Sequence, residues 1–252
     1  MWERKSKAIM HHSGGLCADK EPAGASRRCG GADARASIGL PASPAHAELV
    51  LSQLIVNLGV ASKERDDIEI WNNSDERAYV VAEPSEILAP GTAAESRRAE
   101  PDPEKRGLLV SPARLILEPG QRKLVRVAAI GPRHDRERVY RITVKPVVGG
   151  ISSAATGLKL LIGYDVLVLV KPAATHPSLS ASRSGNNLTF RNGGNASLEL
   201  ADGKQCDSSG KNCVELPGKR LYAGAEWTQQ LKSNLPVEYS VISDGQSIRR
   251  KF

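Results

Sequence analysis

LKLLIGYDVLVLV, residues 158 to 170, changes its periodicity half-way along. The first half alternates, with Leu158, Leu160 and Ile162 on one face and Lys159 and Leu161 on the other, the period-2 pattern of a half-covered strand. From Val166 to Val170 the stretch is continuously apolar and stops at Lys171-Pro172, as a strand buried on both faces and then terminated does. The segment before it, GGISSAATG at 149–157, reads as a long mobile hairpin loop. An apolar row that begins beside such a loop reads as a surface awaiting a partner. Asp165, inside the otherwise apolar half, is expected to be a buried charge that either sits at a bulge or pairs with a nearby Lys or Arg.

The composition around this stretch points the same way. With 252 residues the chain is long enough for two domains, each with its own core. It is 40% hydrophobic but only 4% aromatic, holds 15 Pro and 23 Gly, and uses Val, Leu and Ile in short runs, which predicts all-β architecture. No run of about 18 apolar residues occurs, so no membrane span is expected. Residues 1–47 carry seven Lys/Arg and four Asp/Glu of the chain's 35 and 28, so the remainder has 28 basic and 24 acidic side chains, net +4. Those charges are interspersed and aromatics for base stacking are scarce, which disfavours nucleic-acid binding and leaves room for an acidic protein partner. G-x-S-x-G, H-E-x-x-H, P-loop and dinucleotide patterns are missing and histidines are few after residue 47, so neither an enzyme nor a cofactor is expected.

Met1 to Arg35 is charged, Gly- and Ser-rich and aperiodic, and is expected to be disordered or artefactual. Ala45-His46-Ala47 then fits the small-x-small cleavage pattern of a secretory signal, although no apolar core segment precedes it. A misassigned start or a shifted frame that leaves only the tail of a signal peptide, cleaved after Ala47, accounts for both features; an ordinary Ala/Pro linker is the alternative. Leu49–Leu58 is the first expected strand, at an edge or switching sheets. Ile68–Trp71 and Ala78–Glu83 follow, then an exposed irregular connection over 84–106. RGLLVSPARLILEPGQRKLVRVAAI supplies two strands around the Pro119-Gly120 turn. Val139–Val148 places Tyr140, Ile142 and Val144 on one face and Arg141, Thr143 and Lys145 on the other. About seven strands by Pro172 match the count of an immunoglobulin-like sandwich.

RGLLVSPARLILEPGQRKLVRV, ERVYRITVKPV, a long loop and an alternating strand ending in KPAA, in that order and spacing, resemble the periplasmic pilus chaperones of the PapD-like family. The downstream SLSASRSGNNLTFRNGGNASLELADGKQCDSSGKNCVELPGKRLYAG is similar to their second domain, most of all in the branch serving colonisation-factor-type fimbriae. The resemblance spans nearly all of 48–252. It implies two immunoglobulin-like β-sandwiches set at an angle, over 48–172 and 173–252. It further implies a chaperone that lends a strand to fimbrial subunits whose own sandwich lacks its last strand, then delivers them to an outer-membrane usher. Leu158, Leu160 and Ile162 match the lent row, where main-chain hydrogen bonds give affinity and alternating side chains fill the groove. Exposed donor strands of two copies could also pair and cap each other in a dimer.

One departure from the family matters. Typical members anchor the subunit's C-terminal carboxylate with an Arg on the first strand and a Lys on the last strand of the first domain. Counting back from Lys171-Pro172, Leu167 stands at that Lys position, and Leu49–Leu58 has no basic residue. A carboxylate entering a partly desolvated cleft still needs a cation or donors, so Arg141, Lys145 and Lys159 are the candidates. In the second domain, Asn187–Phe190 and Ala196–Leu200 are expected to form a hairpin across Arg191–Asn195. Cys206 and Cys213, at the position where the resemblance implies a disulfide, bracket a six-residue polar loop; zinc lacks further ligands, His134 and His176 being the histidines after residue 47. The competing reading of the whole chain is a fimbrial subunit or adhesin, or another secreted immunoglobulin-like binding module.

Overall fold

The computed structural model describes residues 49–59, 63–147 and 162–252. In chain order the first sandwich contains β1 (Leu49–Leu51), β2 (Ile55–Leu58), β3 (Arg65–Asn72), β4 (Ala78–Leu88), β5 (Ser96–Arg98), the single-turn α1 (Pro103–Arg106), β6 (Leu108–Ser111), β7 (Arg114–Leu117), β8 (Arg122–Ala129), β9 (Arg138–Val147) and β10 (Tyr164–Val170). One sheet has the order β1-β3-β8-β6. The other runs β2-β10-β9-β4-β5, with β7 also on β4. Ile68, Ile70, Val125 and Val127 of the first sheet pack against Val80, Ala82, Tyr140, Ile142, Val166 and Val168 of the second. Tyr140, Ile142 and Val144 therefore fill the core and Arg141, Thr143 and Lys145 face away from it, as the alternation predicts.

The first stretch switches sheets. β1 pairs antiparallel with β3, whereas β2 pairs parallel with β10, so the chain crosses from one sheet to the other within Ser52–Leu54. Similarly, Ser111 to Ala113 carries the chain between sheets, which makes three strands (β6, β7 and β8) where two are expected from the pattern. The connection over 84–106 is also more ordered than its composition suggests. β4 runs on through Pro84 to Leu88, β5 pairs with its far end, and α1 follows. Pro84 falls where the outer edge of β4 changes partner, after β7 at Val81 and before β5 at Glu86, a position where a missing N–H costs little.

The second sandwich has β11 (Leu179–Ser184), β12 (Asn187–Asn192) and β16 (Glu226–Gln230) in one sheet, and β14 (Cys213–Leu216), β13 (Leu198–Cys206), β17 (Val237–Ser243) and β18 (Gln246–Lys251) in the other, with β15 (Lys219–Leu221) also on β13. Its core is built on Phe190, whose ring meets Tyr239 edge-on at 5.4 Å, Phe252 at 5.0 Å and Trp227 in a stack at 5.8 Å. Four of the chain's ten aromatics thus meet in the core of the smaller sandwich. The expected hairpin across Arg191–Asn195 does not form: β12 and β13 lie in different sheets.

What replaces that hairpin is a fully buried asparagine. Asn192 donates from Nδ2 to the carbonyls of Ala196 and Leu221, both at 2.9 Å, and accepts from the Gly194 N–H at 2.9 Å. A Cβ on Gly194 would lie 2.5 Å from the His176 carbonyl oxygen, so only glycine fits the turn. Asn72 repeats the arrangement in the first sandwich, donating to Glu76 and Leu117 carbonyls and accepting from the Ser74 N–H. Both side chains are 0% exposed. In each sandwich one Asn therefore satisfies the backbone where the chain leaves one sheet for the other.

Candidate functional site

β10 explains the continuously apolar half of 158–170. Val166, Val168 and Val170 point into the first core, while Leu167 and Leu169 on the opposite face form a second apolar cluster with Ile87 and Val139, against which Tyr222 of the second sandwich packs. The strand is apolar on both faces because its outer face is covered by the next domain.

The edge of β10 changes character along its length. β9 pairs with every residue from Tyr164 to Val170, but β2 pairs only with Leu167 to Val170. The Leu167 N–H still reaches the Leu54 carbonyl, at 2.9 Å. Among the described residues, Tyr164–Val166 are therefore paired on one side alone, and the core-facing row continues past the end of its own sandwich at Ile162, which is 53% exposed. Tyr164 holds this end down by donating its hydroxyl to the Leu49 carbonyl at 2.6 Å. Gly163 lets the chain pass close over β9, since a Cβ there would meet Lys145 Cβ and the Val144 carbonyl oxygen at 3.2 Å. Leu158, Lys159 and Leu160 lie outside the described residues.

The outer face of the same sheet is polar at this level. Asp165 is not buried: its side chain is 39% exposed, and it regularly continues the strand opposite Thr143. Arg97 of β5 grips its carboxylate with two N–H groups, at 3.2 and 2.5 Å. Arg141 donates to the Asp165 backbone carbonyl at 3.3 Å and stands 3.8 Å from its carboxylate, and the Thr143 hydroxyl donates to it at 3.3 Å. Lys145 pairs instead with Glu83, at 2.8 Å. Of the two described candidate cations, then, Arg141 joins this cluster and Lys145 does not, and the companion of Arg141 is Arg97, which was not among the candidates. Arg97 falls in the segment expected to be irregular, and nothing in its local sequence marks it as a strand residue facing Asp165. Leu167 is buried and supplies no charge.

Arg97 is held in place by its neighbour. Arg98 pairs with Glu86, which also accepts from Arg138 Nε at 2.7 Å, so β5 is clamped on β4 by a nearly buried carboxylate. Burial works against the charge on Glu86, but the hydrogen bonds from Arg138 and Arg98 outweigh it and hold the carboxyl below its ordinary value. A folded value below the unfolded one means stability that is present above pH 4.5 and lost as pH falls through the folded value. Glu86→Gln is expected to lower stability at pH 7 and to narrow the difference in stability between pH 7 and acid pH, measured as urea midpoints. An unchanged difference would rule the clamp out as an acid-labile element. Glu137 titrates in the opposite sense, because burial raises its carboxyl despite the Ser197 hydrogen bonds, but it is common to both proteins and cancels.

Polar contacts hold the two sandwiches together. Asn195 donates to the Asp135 and Ala174 carbonyls at 2.9 and 2.8 Å, Glu137 accepts from the Ser197 N–H and hydroxyl at 3.1 Å, and Lys171 pairs with Asp244 at 2.5 Å. Cys206 and Cys213 are bonded directly across the β13–β14 pair, with Cα atoms 3.9 Å apart. Asp207 organises the loop between them, and its carboxyl is lowered to about 2 by hydrogen bonds from Ser209 and Asn212.

The sequence profile of the family described as pili and flagellar-assembly chaperones, PapD N-terminal domain, matches residues 49–176. No curated protein sequence matches the chain. Among solved structures, the chain is similar to the class 5 fimbriae chaperone CfaA, with 24% identity over 81% of this chain and 98% of that one and a TM-score of 0.62. It is similar as well to a chain of the Salmonella enterica SafA pilin–SafB chaperone complex (20% identity, 83% and 98% covered, TM-score 0.59) and to the E. coli chaperone DraB (19%, 81% and 95%, TM-score 0.57). At these identities the structural likeness speaks for the two-sandwich fold.

Proposed function

Because the chain belongs to the family of pili and flagellar-assembly chaperones, we propose that it captures fimbrial subunits at the open edge of β10 and completes their unfinished sandwich with its own strand. It is a chaperone of fimbrial assembly, and fimbrial subunits are its partners. The observation that carries the strand-lending reading is the change of edge at Leu167: β2 covers β10 beyond that residue, and the described residues before it are paired on one side only. Leu158, Leu160 and Ile162 continue the alternation of the core-facing row, so an added strand would gain main-chain hydrogen bonds while these side chains enter its groove. Solved relatives with this fold include chaperones bound to a pilin and to a tip adhesin. A pilin-type sandwich lacking its last strand is not favoured as an alternative, since β10 takes its place between β2 and β9.

A strand laid beside Tyr164–Val166 ends where β2 begins. Its terminus would lie beside Arg141 and Arg97, so a C-terminal carboxylate, rather than an N-terminal ammonium, suits that end, and the incoming strand runs parallel to β10. Lys145 and Lys159 complete the set of candidate anchors, Lys145 in competition with Glu83. Delivery to an outer-membrane usher and capping of free donor strands in a dimer complete the proposal. A periplasmic location, reached by cleavage after Ala47, suits the disulfide-bonded second sandwich. The test is periplasmic co-expression of residues 48–252, behind a working signal peptide, with a fimbrial subunit that does not accumulate alone. A soluble one-to-one complex is expected, and fimbrial subunits that all stay insoluble when co-expressed with this chain would refute the function.

A further inference from the structure

We propose that Asp165 is an internal stand-in for the ligand carboxylate: it occupies the Arg97–Arg141 site in the free chaperone, and an incoming carboxylate must compete with it. The inference rests on the strand-capture reading above and adds how tightly the captured strand is held. Arg97 of β5 grips this carboxylate of β10, the Arg141 guanidinium of β9 stands 3.8 Å from it while donating to the Asp165 backbone carbonyl, and the Thr143 hydroxyl adds a further donor. The bidentate grip of Arg97 demonstrates the chemistry that fits the site, because planar guanidinium and planar carboxylate meet by two parallel hydrogen bonds.

The position of Asp165 gives the pairing its consequence. It sits on the outer face of β10 at the level where one edge is open, and residues on an added strand lie about 5 Å from their cross-strand neighbours. A terminal carboxylate there is within reach of the same guanidiniums. With Arg97 and Arg141 against Asp165, the cluster keeps one positive charge in excess, enough to draw a second carboxylate but not to hold both equally. The internal acid therefore weakens the anchor on purpose of release: a subunit is held while its strand is paired, and the guanidiniums return to Asp165 when it leaves. Without an internal competitor, the anchor would retain the subunit against handover.

The experiment follows complexes of the full chaperone with the subunit recovered by co-expression, and with the same subunit extended at its C-terminus by Gly-Ser-Gly. Complex lifetime is measured after dilution into an excess of tagged free chaperone. Asp165→Asn, which is isosteric and exposed, is expected to lengthen the lifetime roughly three- to tenfold, and Arg97→Ala to shorten it by a similar factor. Both effects should vanish with the extended subunit, whose carboxylate has moved away. An Asp165→Asn complex no longer-lived than wild type overturns the proposal. So do effects that persist unchanged with the extended subunit, since these would assign the contact to a side-chain carboxylate or to sheet stiffness. Failure of strand capture itself has a different signature, a wild-type complex that Leu160→Asp leaves intact.

Discussion

Leu160→Asp is expected to abolish recovery of a soluble chaperone–subunit complex while leaving the chaperone itself folded. Each aliphatic side chain of the row Leu158, Leu160 and Ile162 contributes roughly 1.5 to 3 kcal/mol when fully buried, so together they supply several kcal/mol before ordering costs are subtracted. The central substitution loses one such share and also places a carboxylate in an apolar groove, an unpaired charge that costs several kcal/mol more. The sum exceeds a hundredfold in affinity, at about 1.4 kcal/mol per tenfold. Ser153→Asp adds the same charge in the preceding Gly- and Ser-rich segment 149–157 and should leave yield unchanged. Pull-down and subunit yield from periplasmic extracts decide the matter: equal recovery with wild type and Leu160→Asp would mean that this row does not enter the subunit.

The second large effect is on stability and concerns Asn192. Truncation to Ala leaves the Ala196 and Leu221 carbonyls and the Gly194 N–H without their partner in a position that is 0% exposed. With each orphaned buried group costing about 1 to 3 kcal/mol and partial relief from entering water, a loss of about 3 kcal/mol is expected. Urea unfolding of residues 48–252 followed by Trp227 fluorescence in a Trp71→Phe background reports the second sandwich selectively. A loss below about 1 kcal/mol would show that the turn between β12 and β13 is held by its backbone alone. Asn72→Ala should behave alike in the first sandwich, where the same three contacts recur.

Much of the framework is legible in the residues. Alternation on β9 separates Tyr140, Ile142 and Val144 from Arg141, Thr143 and Lys145 because a strand can turn only every second side chain to one face. The continuous apolarity of Val166–Val170 also has a physical counterpart: this part of β10 is buried on both faces, under one core and under Tyr222. Local patterns fail where strands change partners. Leu49–Leu58 reads as one strand and forms two, in different sheets, and β12 and β13 look like a hairpin yet separate across Asn192. Hydrophobic periodicity says which face is inward but not which sheet that face belongs to.

The candidate site shows the same division. By sequence alone the chain determined its all-β class, the apolar row that ends at Ile162 and an apolar residue at position 167, because composition and the order of side chains along a strand suffice for each. Tertiary structure alone decided that Arg97 and Asp165, 68 residues apart, share a carboxylate–guanidinium grip and that the edge of β10 opens before Leu167. Both depend on which strands lie side by side, and pairing between distant strands is set by the packing of the whole sandwich rather than by any short stretch within it.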